Sequence, residues 1–262
     1  MADGTTRLSA STLMARQRYA RAEINRKISP ADGGMTSPTE KDVVHYWSDG
    51  VSAMDMVFKA MMLGDVQDLK TILDFPSGYG RILRHLKAAF PTADLTASDI
   101  DPHANSFCAE TFGCSTLASQ PNLDAVHFDH RFDLIWCGSL LTHLPEHRFR
   151  QCLSLFSRSL APNGLAVFTI HGRYSSEFGR DNFLPSARWL PVAAAYRERG
   201  FGYGDYRDEV SGMTNEYGIT LSSPSFVMAC LEPDPSLRVL GFVERGWNDH
   251  QDVVIVQKRP LF

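Results

Sequence analysis

The chain has 262 residues, of which 44% are hydrophobic and 21% charged, with a formal net charge of −4. That balance suits one globular α/β core plus an extension, and it argues against general attraction to nucleic acid or an anionic membrane. No apolar run approaches the ~20 residues of a membrane span, the first residues lack the apolar core of a secretory signal, and Cys108, Cys114, Cys137, Cys152 and Cys230 are an odd set without C-x-x-C spacing. Neither a disulfide framework nor a structural zinc site is expected, and the cytoplasm is the expected compartment.

Residues 1–64 are expected to form an N-terminal helical arm and cap. Residues 1–30 are polar and locally basic (Arg7, Arg16, Arg18, Arg21, Arg26 and Lys27), and Thr12 to Lys27 reads as a helix whose basic face is solvated in preference to touching an anionic substrate. A turn cluster from Ser29 to Gly34 follows. From Ser37 to Leu63 the apolar pattern is helical, with a break expected at Asp49-Gly50. Residues 65–262 then alternate strand and helix. Strands are predicted at Leu69–Phe75, Asp94–Asp99, Cys114–Ala118, Phe132–Cys137 and Leu165–Ile170. Helices are predicted at Tyr79–Phe90, Pro102–Phe112, Glu146–Leu160 and Ser186–Arg199. Such βα repetition implies a parallel sheet covered on both faces. The stretch 201–235 is longer than the sheet requires and reads as a cap insertion, with a strand at Glu216–Leu221 and a helix at Pro224–Leu231. Leu237–Glu244 and Asp252–Lys258 are joined by a short turn and must pair antiparallel.

The sharpest local pattern is Asp74-Phe75-Pro76-Ser77-Gly78-Tyr79-Gly80-Arg81, a strand end followed by a glycine turn that opens a helix. Glycines permit close backbone approach to a ligand, and N–H groups at a helix start favour an anion. Asp99 ends the second strand about 20 residues beyond the turn, the offset at which a carboxylate accepts hydrogen bonds from a ribose diol. A nicotinamide site would want a third glycine where Leu83 stands. These landmarks, with Phe132 to Leu144 at strand four and Leu160 to Thr169 leading into strand five, resemble the class I S-adenosylmethionine-dependent methyltransferases. Within that family the glycine turn and the final Trp247 to Asp252 run resemble uncharacterised enzymes encoded among bacterial glycan and secondary-metabolite genes. The resemblance implies an α/β, Rossmann-like, seven-stranded, mostly parallel sheet with an antiparallel last strand and helices on both faces. It implies S-adenosylmethionine as cofactor, with Asp74, Gly78 and Gly80 at the methionine end, Asp99 on the ribose, Ile100 beside the adenine, and Phe75, Pro76 and Ser139 also in the cofactor site. Pro76 departs from the family pattern, which has a glycine there.

Ligands of open α/β sheets bind outside the carboxyl ends of the strands. Strand four ends near His143, strand five at His171, and the closing hairpin turns around His250, so topology alone brings three histidines to one rim. Histidine is the usual base when a hydroxyl acceptor must lose its proton. His143 is the first candidate, and His250, with Asp249 as orienting carboxylate, the second; His171 follows. Each also has a plain structural reading. No metal-ligand spacing is recognisable. Phe201, Tyr203, Tyr206, Tyr217 and Phe226 lie among Asp205, Asp208, Glu209 and Glu216, a mixture suited to a sugar or equally to a small cap's own core. Tyr46 and Trp47 either close over the cofactor or pack the arm onto the sheet. The expected activity is O-methylation of a sugar-containing or other small hydroxylated acceptor. N-methylation of an amine and a catalytically silent cofactor-binding partner remain open, as does a homodimer.

Overall fold

The computed structural model describes residues 10–33, 35, 39–179, 184–206 and 216–259. Two helices, α1 (Ala10–Arg21) and α2 (Glu40–Gly64), precede the sheet. Strands β1 (Thr71–Asp74), β2 (Asp94–Asp99), β3 (Ser115–Ala118), β4 (Phe132–Cys137) and β5 (Leu160–Ile170) run parallel. Helices α3 (Leu83–Ala89), α4 (Pro102–Phe112) and α5 (Glu146–Ser159) fill three of the crossovers. After β5 come α6 (Arg173–Phe178) and α7 (Ser186–Arg199), then β6 (Phe201–Asp205), β7 (Gly218–Ser222) and α8 (Pro224–Leu231). The chain returns to the sheet as β8 (Leu237–Trp247) and β9 (Gln251–Lys258). The seven-stranded order is β3-β2-β1-β4-β5-β9-β8, with β9 antiparallel to both neighbours, while β6 and β7 form a separate antiparallel pair.

Alternation along the strands divides the core between the two faces. Ile72, Leu134, Trp136, Leu165, Val167, Val253 and Ile255 pack under α2, α3 and α4 with Met54, Val57, Leu86 and Phe112. Their neighbours Leu73, Ile135, Cys137, Ala166, Phe168, Val254 and Val256 face α5 and α8 with Phe149, Phe156 and Val227. No described helix is long and apolar enough to cross a membrane.

The fold differs from the sequence expectations at defined places. Helix α2 passes through Asp49-Gly50 without a break. A Cβ on residue 50 would stand 2.1 Å from the buried ring of His85, so the glycine serves a close helix contact rather than a turn. Tyr79–Ile82 is a turn, and α3 begins only at Leu83. Helix α6 and strand β6 were not foreseen; β6 contains Gly202 and Gly204, which weaken the strand pattern. Gly202 sits there because a side chain would strike the carbonyl oxygen of Val192 on α7, at 2.0 Å.

Candidate functional site

Arg84 fastens the N-terminal arm to the glycine turn. The side chain is almost wholly buried (1% exposed). Its guanidinium donates to the carbonyls of Gly80, Asn25, Lys27 and Tyr79 and to the Tyr46 hydroxyl. Every acceptor is neutral, so the charge is solvated by a ring of dipoles in place of water. Tyr46 donates in turn to the buried Asp32, and Trp47 lies beside Tyr46 and under Arg26. Tyr46 and Trp47 thus pack the arm against α3, and through Asp32 the arm reaches the cavity described next.

Two cavities meet at the carboxyl ends of β1, β2 and β4, with Pro76 and Asp99 on the wall of both. The first, about 120 Å³ and mostly apolar, is lined by Phe75, Ile100, Leu123, Leu140, Leu144 and Tyr217 among others. The second, about 240 Å³, is more polar; Asp32, Ser77, Gly78, Arg81, Ser139 and Trp247 are on its wall. The chain enters between them through a cis Phe75–Pro76 peptide. Gly78 has φ +49° and open space where a side chain would project. Its N–H donates at 2.8 Å to Asp99, whose other oxygen accepts from Asp101 N–H at 3.0 Å. Burial pushes the Asp99 carboxyl up, and these backbone donors pull it back. Asp101, not Asp99, caps α4, accepting from His103 N–H. A half-buried carboxylate between an apolar chamber and a polar one fits a nucleoside whose diol faces Asp99 and whose base lies against Ile100 and Phe75. The residues present therefore fit S-adenosylmethionine.

Two residues placed at the methionine end by the motif are not on either cavity wall. Asp74 is buried (1% exposed), and burial and Asp99 push its carboxyl up. Gly80 has φ +76° and packs against Phe112, 2.4 Å from where a Cβ would be, and near Cys108. The N–H groups of the two glycines are already engaged within the chain. Gly78 N–H is taken by Asp99, and Gly80 N–H donates to the Ser77 carbonyl. The polar chamber's cation is instead Arg81, hydrogen-bonded at 2.7 Å to the buried Asp49. Asp49 also accepts from Asn248 at 2.7 Å, and its carbonyl takes the Trp247 indole N–H. Asp32, Asp49, Arg81 and Asn248 were not singled out in the sequence. Asp32 and Asp49 each precede a glycine and read as turn formers, and only Arg81, directly after the motif, carried a usable hint.

At the rim, Ser139 adopts φ 59° and donates its N–H to Thr169. Gln251 ties the same strands together, donating to Ser139 Oγ and accepting from Thr169 Oγ1. The three histidines do gather: ring centroids lie 6.1 Å apart for His143 and His171, and 5.4 Å for His171 and His250. His143 is stacked on Tyr217 at 4.8 Å. Its Nδ1 is 2.7 Å from the Gly218 carbonyl and 3.1 Å from the Tyr206 hydroxyl. Desolvation pulls His143 down to about 4, with the Gly218 carbonyl opposing. His171 is lowered by burial and by both neighbouring histidines, and His250 by burial and His45. The expected Asp249–His250 pair does not form: Asp249 is exposed and paired with Arg245. Asp252, also near the turn, accepts from Arg245 N–H, and burial raises its carboxyl to about 6. Among the described residues no three His, Cys, Asp or Glu side chains gather as a metal site.

The cap hairpin is pinned to this rim. Gly218, Thr220 and Ser222 donate their N–H groups to the carbonyls of His143, Thr142 and His171. Phe201 and Phe226 pack with Phe149 as core, whereas Tyr206 and Tyr217 flank His143. The carboxylates expected beside them are engaged elsewhere, Asp205 by Arg188 and Glu216 by Arg148 and His147. Asp208 and Glu209 lie outside the described residues.

Residues 72–164 match a family model described as a methyltransferase domain. No curated protein matches the chain by sequence. Among solved structures, it is similar to DesVI of Streptomyces venezuelae (14% identity, TM-score 0.58, covering 89% of this chain and 100% of that one). It is similar to an S-adenosylmethionine-dependent methyltransferase of Clostridium acetobutylicum ATCC 824 (14%, 0.56, 88% and 96%). A third is an amino pentose methyltransferase of calicheamicin biosynthesis from Micromonospora echinaspora, solved with S-adenosylmethionine (14%, 0.54, 84% and 98%). The match places a methyltransferase domain at residues 72–164, on the part of the sheet that carries both cavities, and the fold is shared with S-adenosylmethionine-dependent methyltransferases.

Proposed function

We propose that the acceptor is a hydroxyl of a sugar-containing or other small hydroxylated metabolite, covered by the 201–235 segment, and that His143 takes its proton. The observation that carries this reading is the pairing of His143 with Gly218. A carbonyl only accepts, so Nδ1 carries the hydrogen and Nε2 keeps its lone pair, the tautomer a base needs. Stacked on Tyr217, the imidazole is one ring removed from the apolar cavity.

S-adenosylmethionine supplies, when bound, a methyl group on a sulfonium that departs as a neutral thioether. The residues of the chain would position the acceptor oxygen for in-line attack on that methyl group and shield it from bulk water. His143 would receive the acceptor hydroxyl's proton on Nε2 as the methyl group is transferred. A base lowered to about 4 suffices, because an oxygen already bonded to the incoming methyl group is strongly acidic.

The same low value supports a second reading. General bases work best near the operating pH, and an amine acceptor needs no base before it attacks; one structure that shares this fold is described as an amino pentose methyltransferase.

The test is His143→Asn, whose amide can still donate to Gly218 but has no counterpart to Nε2. Labelled cofactor is supplied with hydroxylated and amino-bearing sugars, and products are identified by mass and NMR. The hydroxyl reading expects an O-methyl product and a fall in kcat of about 10²-fold or more with cofactor affinity unchanged. An N-methyl product, or an O-methyl product with kcat preserved in the variant, would overturn it.

A further inference from the structure

We infer that the amino-acid head of the cofactor is read by a pair of charged residues outside the glycine motif, Arg81 for the α-carboxylate and Asp32 for the α-ammonium.

The inference starts from elimination. The glycine turn cannot offer the carboxylate an N–H from Gly78 or Gly80, since Asp99 and the Ser77 carbonyl already accept those hydrogens. Asp74 is 1% exposed and on neither cavity wall, so its carboxylate is not presented to the ammonium. The polar chamber nevertheless carries charge of both signs. Its wall includes one guanidinium, Arg81, and two carboxylates, Asp32 and Asp99. Asp99 stands at the junction with the apolar chamber, where the ribose belongs. That leaves Arg81 and Asp32 for a zwitterion.

Both are held in place before a ligand arrives. Among the described residues Arg81 makes one hydrogen bond, from Nη1 to Asp49, and a guanidinium has five N–H donors. Asp49 is fixed from the other side by Asn248, and Arg81 also lies over the Tyr46 ring. Asp32 is 7% exposed and receives the Tyr46 hydroxyl, which is itself held by Arg84. The buried arginine therefore orients the acidic partner through one tyrosine. The arm thus becomes part of the cofactor site.

Three probes dissect the two charges by calorimetry: S-adenosylhomocysteine has both head groups, decarboxylated S-adenosylmethionine only the ammonium, and 5′-methylthioadenosine neither. Arg81→Gln, which can still donate to Asp49, is expected to weaken the first probe by about ten- to a hundredfold and leave the other two within about twofold. Asp32→Asn, which can still accept from Tyr46, is expected to weaken the first two and spare the third. Thermal melting of both variants checks that the fold persists. Equal losses on all three probes, or no loss on any, would overturn the assignment. Wild-type protein binding none of the three would be a distinct result, removing the cofactor site on which the assignment rests.

Discussion

Asp99 and Gly78 are joined by a 2.8 Å hydrogen bond from the glycine N–H to the carboxylate, so the two elements of the proposed cofactor site are one unit. The same carboxylate receives Asp101 N–H and lies on the wall of both cavities. Replacing it removes the acceptor for two backbone donors as well as the proposed partner of a ribose diol. Asp99→Ala is expected to weaken S-adenosylhomocysteine by about 100-fold or more in calorimetry, two charge-assisted bonds being worth several kcal/mol. A modest drop in melting temperature should accompany it. Affinity within about threefold of wild type would show that the ribose is held elsewhere.

The parts of this fold that repeat a rule were legible in the sequence. Strands β2 and β4 and helix α4 begin and end where the alternation, Asp99, Pro102 and the Phe132 run place them. The rim histidines were brought together by topology, since β9 reverses direction beside β5. What could not be read is what depends on contacts between distant segments. Gly50 looked like a helix break because a glycine's own preference is all that sequence displays, whereas the residue that explains it, His85, lies on another helix. Asp74 and Gly80 have the right spacing for a ligand, but spacing does not reveal which side chains turn into the core. Asp32 sits in a turn cluster with nothing to mark that it lines the polar chamber. Its role depends on Arg84 drawing the arm back across the turn.

Gly50 and His85 supply a test of that contact. In a helix interior alanine is ordinarily favoured over glycine by about 1 kcal/mol. Here the added carbon would stand 2.1 Å from an imidazole that is buried and hydrogen-bonded to Tyr19 at 2.7 Å. Gly50→Ala is therefore expected to destabilise by roughly 1–3 kcal/mol, as overpacking does. In a His85→Ala background the same change should become neutral or stabilising. Urea denaturation of the four proteins gives the coupling directly. Additive effects would mean that α2 and α3 do not press on each other at this point.

His85 also predicts how stability responds to acid. Burial, with Arg84 and Arg26 nearby, lowers it to about 4 from an ordinary 6.5. Its Nε2 has no hydrogen-bond partner among the described residues, so an imidazolium there would bury an unpaired donor. Because the folded value lies below the unfolded one, the unfolded chain binds the proton more readily across this window. The group's contribution is therefore complete above about pH 6.5 and is lost as the pH falls toward 4. Other buried groups titrate in the same range, with Asp252 acting in the opposite sense, so the informative quantity is a difference between two proteins. His85→Asn places an amide beside Tyr19 that cannot take the charge. The variant should be less stable than wild type at pH 7, and its deficit should shrink by roughly 2 kcal/mol by pH 4.5. Urea midpoints at the two pH values measure it. A deficit that stays constant would mean that His85 is solvated well enough to ionise in the folded state, and that the packing of α3 against Gly50 is looser than the 2.1 Å separation implies.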